Sequence, residues 1–235
     1  MDLELACLDM AGTTIRDDGV VSDAFREAIA SAGLRPNTTD WETAQRVVTA
    51  TMGQSKISVF RQLFHDEALA QTANRAFECS YRARVDAGLV EAMPGAVEVM
   101  AQLRDCGAQV CLTTGFASTT RDVILDRLGW HGLIDLALSP ADAGRGRPAP
   151  DMILLAALRL QVSRMAAVAV VGDTASDIES GHRAGAGLVV GVTSGSGAPH
   201  ALEAAGADIV LADITGLPDL LGLPAQPTAA LPDRR

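Results

Sequence analysis

The chain is short of lysine, of aromatic rings and of paired cysteines, and each shortage removes a class of function. Lys56 is its only lysine; every other basic side chain is an arginine, and the 19 basic residues face 29 Asp and Glu for a net charge of −10 over 235 residues. With so acidic a balance and only 3% aromatics, the chain has neither the field that attracts a phosphate backbone nor the rings that stack on bases, which argues against nucleic-acid binding. Cys7, Cys79, Cys106 and Cys111 show no Cys-x-x-Cys spacing, so a zinc site is not expected and the four read as small buried hydrophobes in a reducing compartment. A membrane span is also missing. The longest uncharged stretch, Ala184 to Leu202, is rich in Gly, Ser and Thr and contains Pro199, so it reads as loop and strand. The first residues, Met1-Asp2-Leu3-Glu4, are acidic where a secretory signal carries positive charge, and the expected location is cytoplasmic.

What is present suits a globular α/β protein, since 48% of residues are hydrophobic and 20% charged. Nearly continuous apolar runs, several of them rich in β-branched residues, at Glu4 to Asp9, Ala108 to Thr113, Leu133 to Leu138, Ala166 to Gly172, Gly187 to Val192 and Ala207 to Leu211 predict strands buried on both faces. Helical patterns alternate with them, such as Pro94 to Cys106 and Ala117 to Leu128, each closed by glycine. This alternation predicts a doubly wound, Rossmann-like parallel sheet. The stretch 16–91 carries only helical periodicity, at Ser22 to Ala32, Asp40 to Thr51, Ser55 to Phe64 and Asp66 to Val85. It reads as an all-helical cap domain, leaving 1–15 and 92–222 as the core and 223–235, with three prolines, as a frayed tail.

In open α/β sheets ligands bind beyond the carboxyl ends of the strands, so the residues leaving each strand are the ones to read. Four exits carry polar groups: Asp9-Met10-Ala11-Gly12-Thr13-Thr14, Thr113-Thr114-Gly115, Gly144-Arg145-Gly146-Arg147-Pro148 and Gly172-Asp173-Thr174-Ala175-Ser176-Asp177. Each alone has a plain explanation as a turn residue, strand end, surface charge or helix cap. Four in succession predict a shared site. Asp9 and Asp173 suit a hard cation such as Mg²⁺; Thr113 and Arg147 suit phosphoryl oxygens. His65, His131, His182 and His200 lie outside these exits, and the glycine-rich Gly191 to Gly197 matches no nucleotide fingerprint; neither group is expected to act.

These motifs, in this order and spacing, resemble the haloacid dehalogenase superfamily, and within it the phosphonatase branch. The phosphatases of that superfamily carry a second Asp two residues after the nucleophile, where this chain has Ala11; the lysine before the fourth motif is replaced by Arg147; and Met52-Gly53-Gln54-Ser55-Lys56 looks like the segment bearing the Schiff-base lysine. The sole lysine falls on that position. The pattern departs from phosphonatases at Val59 and Phe116, where they carry histidine and tyrosine.

The resemblance implies Asp9 as nucleophile and Mg²⁺ ligand, with Asp173 and the Ala11 carbonyl as further ligands and Asp177 supporting the metal. It also implies that Thr113, Arg147 and the Thr114 and Gly115 amides hold the phosphoryl group and that Met52 packs around Lys56. The Ala11 exchange has a chemical reason. An ester phosphatase needs an acid to protonate a departing alkoxide, whereas cleavage of a C–P bond expels a carbanion that needs an electron sink, which an iminium at Lys56 supplies. The expected activity is hydrolysis of a small anionic phosphonate, phosphonoacetaldehyde or a relative such as one hydroxylated beside phosphorus. A phosphatase acting on a small ester and a non-catalytic binding protein of the same fold are the alternatives, and a homodimer through the cap is implied by the resemblance alone.

Overall fold

Strand β1 (Leu5–Asp9) is buried along its whole length, and the two strands beside it pair in parallel, so both faces of its apolar run must find cover. The computed structural model describes residues 2–16 and 18–224, so the expected tail from residue 225 on lies outside the described residues. Its sheet is wholly parallel, with β2 (Gln109–Thr113), β3 (Leu136–Leu138), β4 (Val168–Gly172), β5 (Leu188–Val192) and β6 (Ile209–Leu211) in the order β3-β2-β1-β4-β5-β6. The chain winds outward in one direction from β1 and then in the other from β4. The reversal between them is the topological switch point, where a crevice opens at the carboxyl edge. All six expected strands form. The edge strands are shorter than their apolar runs: Asp135 and Asp208, just before them, still donate their amides to the Val110 and Val189 carbonyls, and each also turns its carboxylate onto the amide of that same neighbour.

Side chains alternate along the strands. Ala6 and Leu8 of β1 join one hydrophobic cluster with Val110, Leu112 and Val171, while Leu5 and Cys7 join another with Cys111, Val168 and Val170 beneath α8 (Asp151–Arg159). Cys79 and Cys106 are exposed, which corrects the expectation that all four cysteines are buried. The stretch Ala184 to Leu202 spans the end of α9 (Ala175–Ala184), β5, a loop and the start of α10 (Pro199–Ala204); no helix among the described residues is long and apolar enough to cross a membrane.

Between β1 and β2 come five helices: α1 (Val20–Ser31), α2 (Thr39–Ala50), α3 (Lys56–Phe64) and α4 (Glu67–Asp86) form the insertion, and α5 (Ala96–Asp105) leads back into the sheet. Val21, Ala24, Phe25, Ala28 and Ile29 form the buried stripe of α1, spaced at three and four residues as an amphipathic helix requires. Thr38 and Asp66 cap α2 and α4 by accepting the Trp41 and Leu69 amides. This helical insertion shares its apolar packing with one face of the sheet, since Phe25, Phe60, Phe77 and Val85 belong to the same cluster as Leu8 and Leu112. The arrangement sets α3 and the loop before it over the crevice at β1.

Candidate active site

Asp9 leaves β1 opposite Thr113 of β2, and the chain then folds back on itself: the Thr13, Thr14 and Ile15 amides all donate to the Met10 carbonyl, and the Thr14 hydroxyl donates to the Asp9 carbonyl at 2.9 Å. Gly12 within this turn has φ +90°, and a Cβ there would come within 2.7 Å of the Asp173 carboxyl group. Only glycine allows both the conformation and the approach. Asp173 follows β4, adjacent to β1. Its Oδ2 accepts from the Ser196 amide at 2.7 Å and hydroxyl at 3.0 Å, while its Oδ1 is buried without a partner. Asp177 in the first turn of α9 accepts from the Thr174 amide at 3.1 Å and hydroxyl at 2.5 Å, closing a capping box.

These three aspartates form one buried cluster in which an oxygen from each lies within 4.8 Å of the others. Arg147 is drawn into it: Nη1 is 2.6 Å from Asp9 Oδ1 and also pairs with Asp177 Oδ1. One guanidinium offsets three carboxylates incompletely. Burial, and then the charge of Asp9, push the Asp173 pKa up to about 7, against the pull of Ser196 and Arg147. Burial raises that of Asp9 as well, opposed by Arg147 and then Lys56. A hard divalent cation fits this donor set, with carboxylate oxygens gathered at one point, one of them orphaned, and an excess of negative charge.

The opposite wall comes from the insertion. The loop before α3 rests on the sheet through missing side chains: a Cβ on Gly53 would overlap the Thr174 hydroxyl, and one on Gly115 would overlap the Gln54 carbonyl. The Lys56 amide donates to the Gly115 carbonyl at 3.3 Å. Lys56, the first residue of α3, is only 6% exposed, and its Nζ sits 5.4, 5.7 and 5.0 Å from the ring centres of Phe25, Phe77 and Phe116. All five phenylalanines and the single tyrosine of the chain belong to one continuous ring cluster around this point.

Two cavities meet at Lys56, Gly115, Phe116 and Arg147. The inner one, of about 20 Å³, is lined by Asp9, Ala11, Met52, Thr114 and Asp173 and has room for one water. The outer one, of about 570 Å³, opens past Glu78, Arg61 and Arg145. A substrate in contact with Asp9 therefore requires Arg147 or the Met52 loop to move.

Asp9, Ala11, Met52, Lys56, Thr114, Gly115, Arg147 and Asp173 all line one or both cavities, with Thr113 and Asp177 buried beside them. One detail is corrected: the Thr114 amide donates to the Leu138 carbonyl at 3.1 Å, joining two strand ends, and so is no donor for a phosphoryl group. Asp177 stands in the acidic cluster itself. The histidines do line neither cavity, His131 pairing with Asp126 and His182 with the Gly206 carbonyl. Sequence reading missed Gly195 and Ser196, which wrap Asp173, although they leave β5 and the same rule of strand exits points to them. It also missed Glu78, Phe25 and Phe77.

A parallel sheet with acidic residues at its switch point, under a helical insertion that follows the first strand, defines a hydrolase architecture. The chain belongs to the haloacid dehalogenase-like hydrolases, whose family model matches residues 3–185. It is 30% identical over 217 residues to the phosphonoacetaldehyde hydrolase of Bacillus cereus, covering 83% of this chain and 78% of that one. It is 29% identical over 214 residues to the probable phosphatase IndB of Dickeya dadantii, covering 88% of each. The fold matches that of a phosphonoacetaldehyde hydrolase-like protein from Oleispira antarctica with a TM-score of 0.80 at 24% identity, over 94% of this chain and 92% of the other. Hydrolases of this family generally use Mg²⁺, and the Asp9, Asp173 and Asp177 cluster could hold it.

Proposed function

We propose that this protein hydrolyses the C–P bond of a phosphonate aldehyde, phosphonoacetaldehyde or a close relative, using an iminium at Lys56 and an aspartyl-phosphate at Asp9. The observation that carries the reading is the setting of the sole lysine, buried and bordering both cavities, on the same inner cavity as Asp9. The name of the Bacillus cereus relative supports the substrate class. Asp9, Asp173 and Asp177 would hold Mg²⁺, which when bound supplies positive charge against the phosphoryl oxygens.

The protein's own groups divide the work. Lys56 attacks the aldehyde carbon and, with loss of water, becomes an iminium; the faces of Phe25, Phe77 and Phe116 favour that cation. Arg147 leaves Asp9 and turns its fork to the phosphoryl oxygens. Asp9 attacks phosphorus as the C–P electron pair moves into an enamine, which takes up a proton at carbon; hydrolysis of that imine frees the lysine, and water clears the aspartyl-phosphate. Ala11 has no carboxyl to protonate an alkoxide, which counts against ester hydrolysis. The second reading, a phosphatase for a small ester, is favoured by the Dickeya dadantii relative and would reduce Lys56 to a phosphate-binding charge.

Borohydride trapping with phosphonoacetaldehyde and magnesium, read by peptide mapping, separates the two. An adduct at Lys56 accompanied by phosphate release is expected. Phosphate release from simple esters with no adduct from any aldehyde would leave the phosphatase. An adduct only with a hydroxylated relative would fix the substrate instead.

A further inference from the structure

Imine formation needs a group that gives a proton to the departing hydroxyl of the carbinolamine and later takes one from the returning water. The positions where related phosphonatases carry histidine and tyrosine hold Val59 and Phe116 here, both buried and neither able to do this. Among the described residues lining the outer cavity, the ionisable side chains are Lys56, Glu78 and four arginines, Arg61, Arg145, Arg147 and Arg183. Arginine stays charged. Glu78 is thus the one carboxyl group sharing that cavity with Lys56.

Its sequence neighbour and its hydrogen-bond partners adjoin two of the rings around the lysine. Glu78 follows Phe77 on α4, and the Phe77 ring lies 5.7 Å from Lys56 Nζ. Its Oε1 accepts from the Ala117 amide at 3.3 Å and its Oε2 from the Thr120 hydroxyl; Ala117 follows Phe116, whose ring is 5.0 Å from the same nitrogen. These donors sit at the start of α6 (Ser118–Leu128) and fix the carboxyl from the sheet side. We propose that Glu78 is the proton carrier for Lys56, a role that rests on the Schiff-base reading above. Burial raises its pKa above that of an ordinary glutamate, against the pull of Thr120, Ala117 and Lys56.

The proton balance closes over one turnover. The neutral amine adds to the aldehyde, and a proton passes from nitrogen to oxygen to give a neutral carbinolamine. The Glu78 acid protonates the hydroxyl, water departs, and a C=N⁺ bond forms with Glu78 left as carboxylate. After C–P cleavage the enamine carbon takes a proton from water, balanced by the proton released when water hydrolyses the aspartyl-phosphate to hydrogen phosphate; water then adds to the iminium carbon, Glu78 takes the proton that this water gives up, and the carbinolamine collapses to aldehyde and free lysine.

The test uses the full chain with magnesium, phosphonoacetaldehyde and borohydride, following the rate of Lys56 adduct formation and of phosphate release. In Glu78→Gln the amide oxygen can still accept from Ala117, so the link to α6 is kept while the proton is lost. Adduct formation is expected to slow about a hundredfold, with kcat falling more than KM changes. In Glu78→Ala the emptied space lies on the outer cavity, and added formate is expected to restore part of the rate; this arm also decides the matter if the Gln variant folds poorly. A Gln variant within about threefold of wild type overturns the role of Glu78 while leaving the Schiff base intact. A slow Ala variant that formate does not restore also overturns it, leaving Glu78 only as a tie to α6. No adduct in the wild type overturns both readings at once.

Discussion

The two walls of the site are built from opposite materials. The sheet edge gathers Asp9, Asp173 and Asp177 around one arginine, a wall of charge tuned by hydrogen bonds from Ser196 and Thr174. The wall supplied by the insertion is hydrocarbon, with one amine set among three phenyl rings. The first wall suits a bound cation and a phosphoryl group; in the proposed reaction the second would carry the iminium. A phosphonate aldehyde has one end for each. This is why the low aromatic content of the chain misleads when taken as an average: the phenylalanines and the tyrosine are spent at one place.

The sharpest way to break this division is to disable one wall and ask whether the other still works. Asp9→Asn should lower phosphate release by at least about 10⁴-fold, as loss of a covalent nucleophile does, while a borohydride-trapped adduct still forms at Lys56. Loss of the adduct along with the phosphate would mean that the walls do not act separately. Lys56→Arg, which keeps the charge, should abolish the adduct and lower turnover about a thousandfold, yet leave magnesium binding measurable by calorimetry within about threefold of wild type.

A smaller effect concerns the acidic wall without its cation. A carboxylate whose folded pKa lies above its unfolded value holds its proton more tightly when folded, so its contribution to stability falls as pH rises between the two values. For Asp173 that interval runs from the ordinary aspartate value of 3.8 to about 7. Added magnesium competes with the proton, and the rise in melting temperature that it gives should be larger at about pH 8 than at about pH 5.5. Asp173→Asn should flatten this difference; an equal rise at both pH values in wild type would place the cation elsewhere. The mildest probe is Phe25→Leu on the apolar wall. Losing one ring face, worth about 1 kcal/mol, should lower the trapped iminium fraction about fivefold and leave magnesium affinity alone.

The sheet was legible because buried parallel strands are nearly unbroken apolar runs, and the residue ending each run is marked by its polarity. The run at Leu133 overshot β3 because composition does not say where a neighbouring strand stops. Asp9, Asp173 and Arg147 could be read from strand exits. Ser196 could have been, since it also follows a strand, but its Ser-Gly surroundings resemble any loop. Glu78 could not: it sits on a helix with polar neighbours, and its partners Ala117 and Thr120 are 39 and 42 residues away in sequence. Helical spacing likewise tells that Phe25 and Phe77 are buried, without telling that they converge on an amine.

One lysine in the whole chain, set at the first turn of α3 and covered by the closed insertion, also makes the protein its own clock. A protease that cuts only after lysine has a single target here, the bond from Lys56 to Ile57, and reaches it only when the loop and the start of α3 come away from Gly115 and Thr174. Where reclosing is faster than cutting, the rate at which one band becomes two measures the fraction of time this gate stands open. A ligand that bridges the two walls would slow that clock in proportion to how firmly it holds them together.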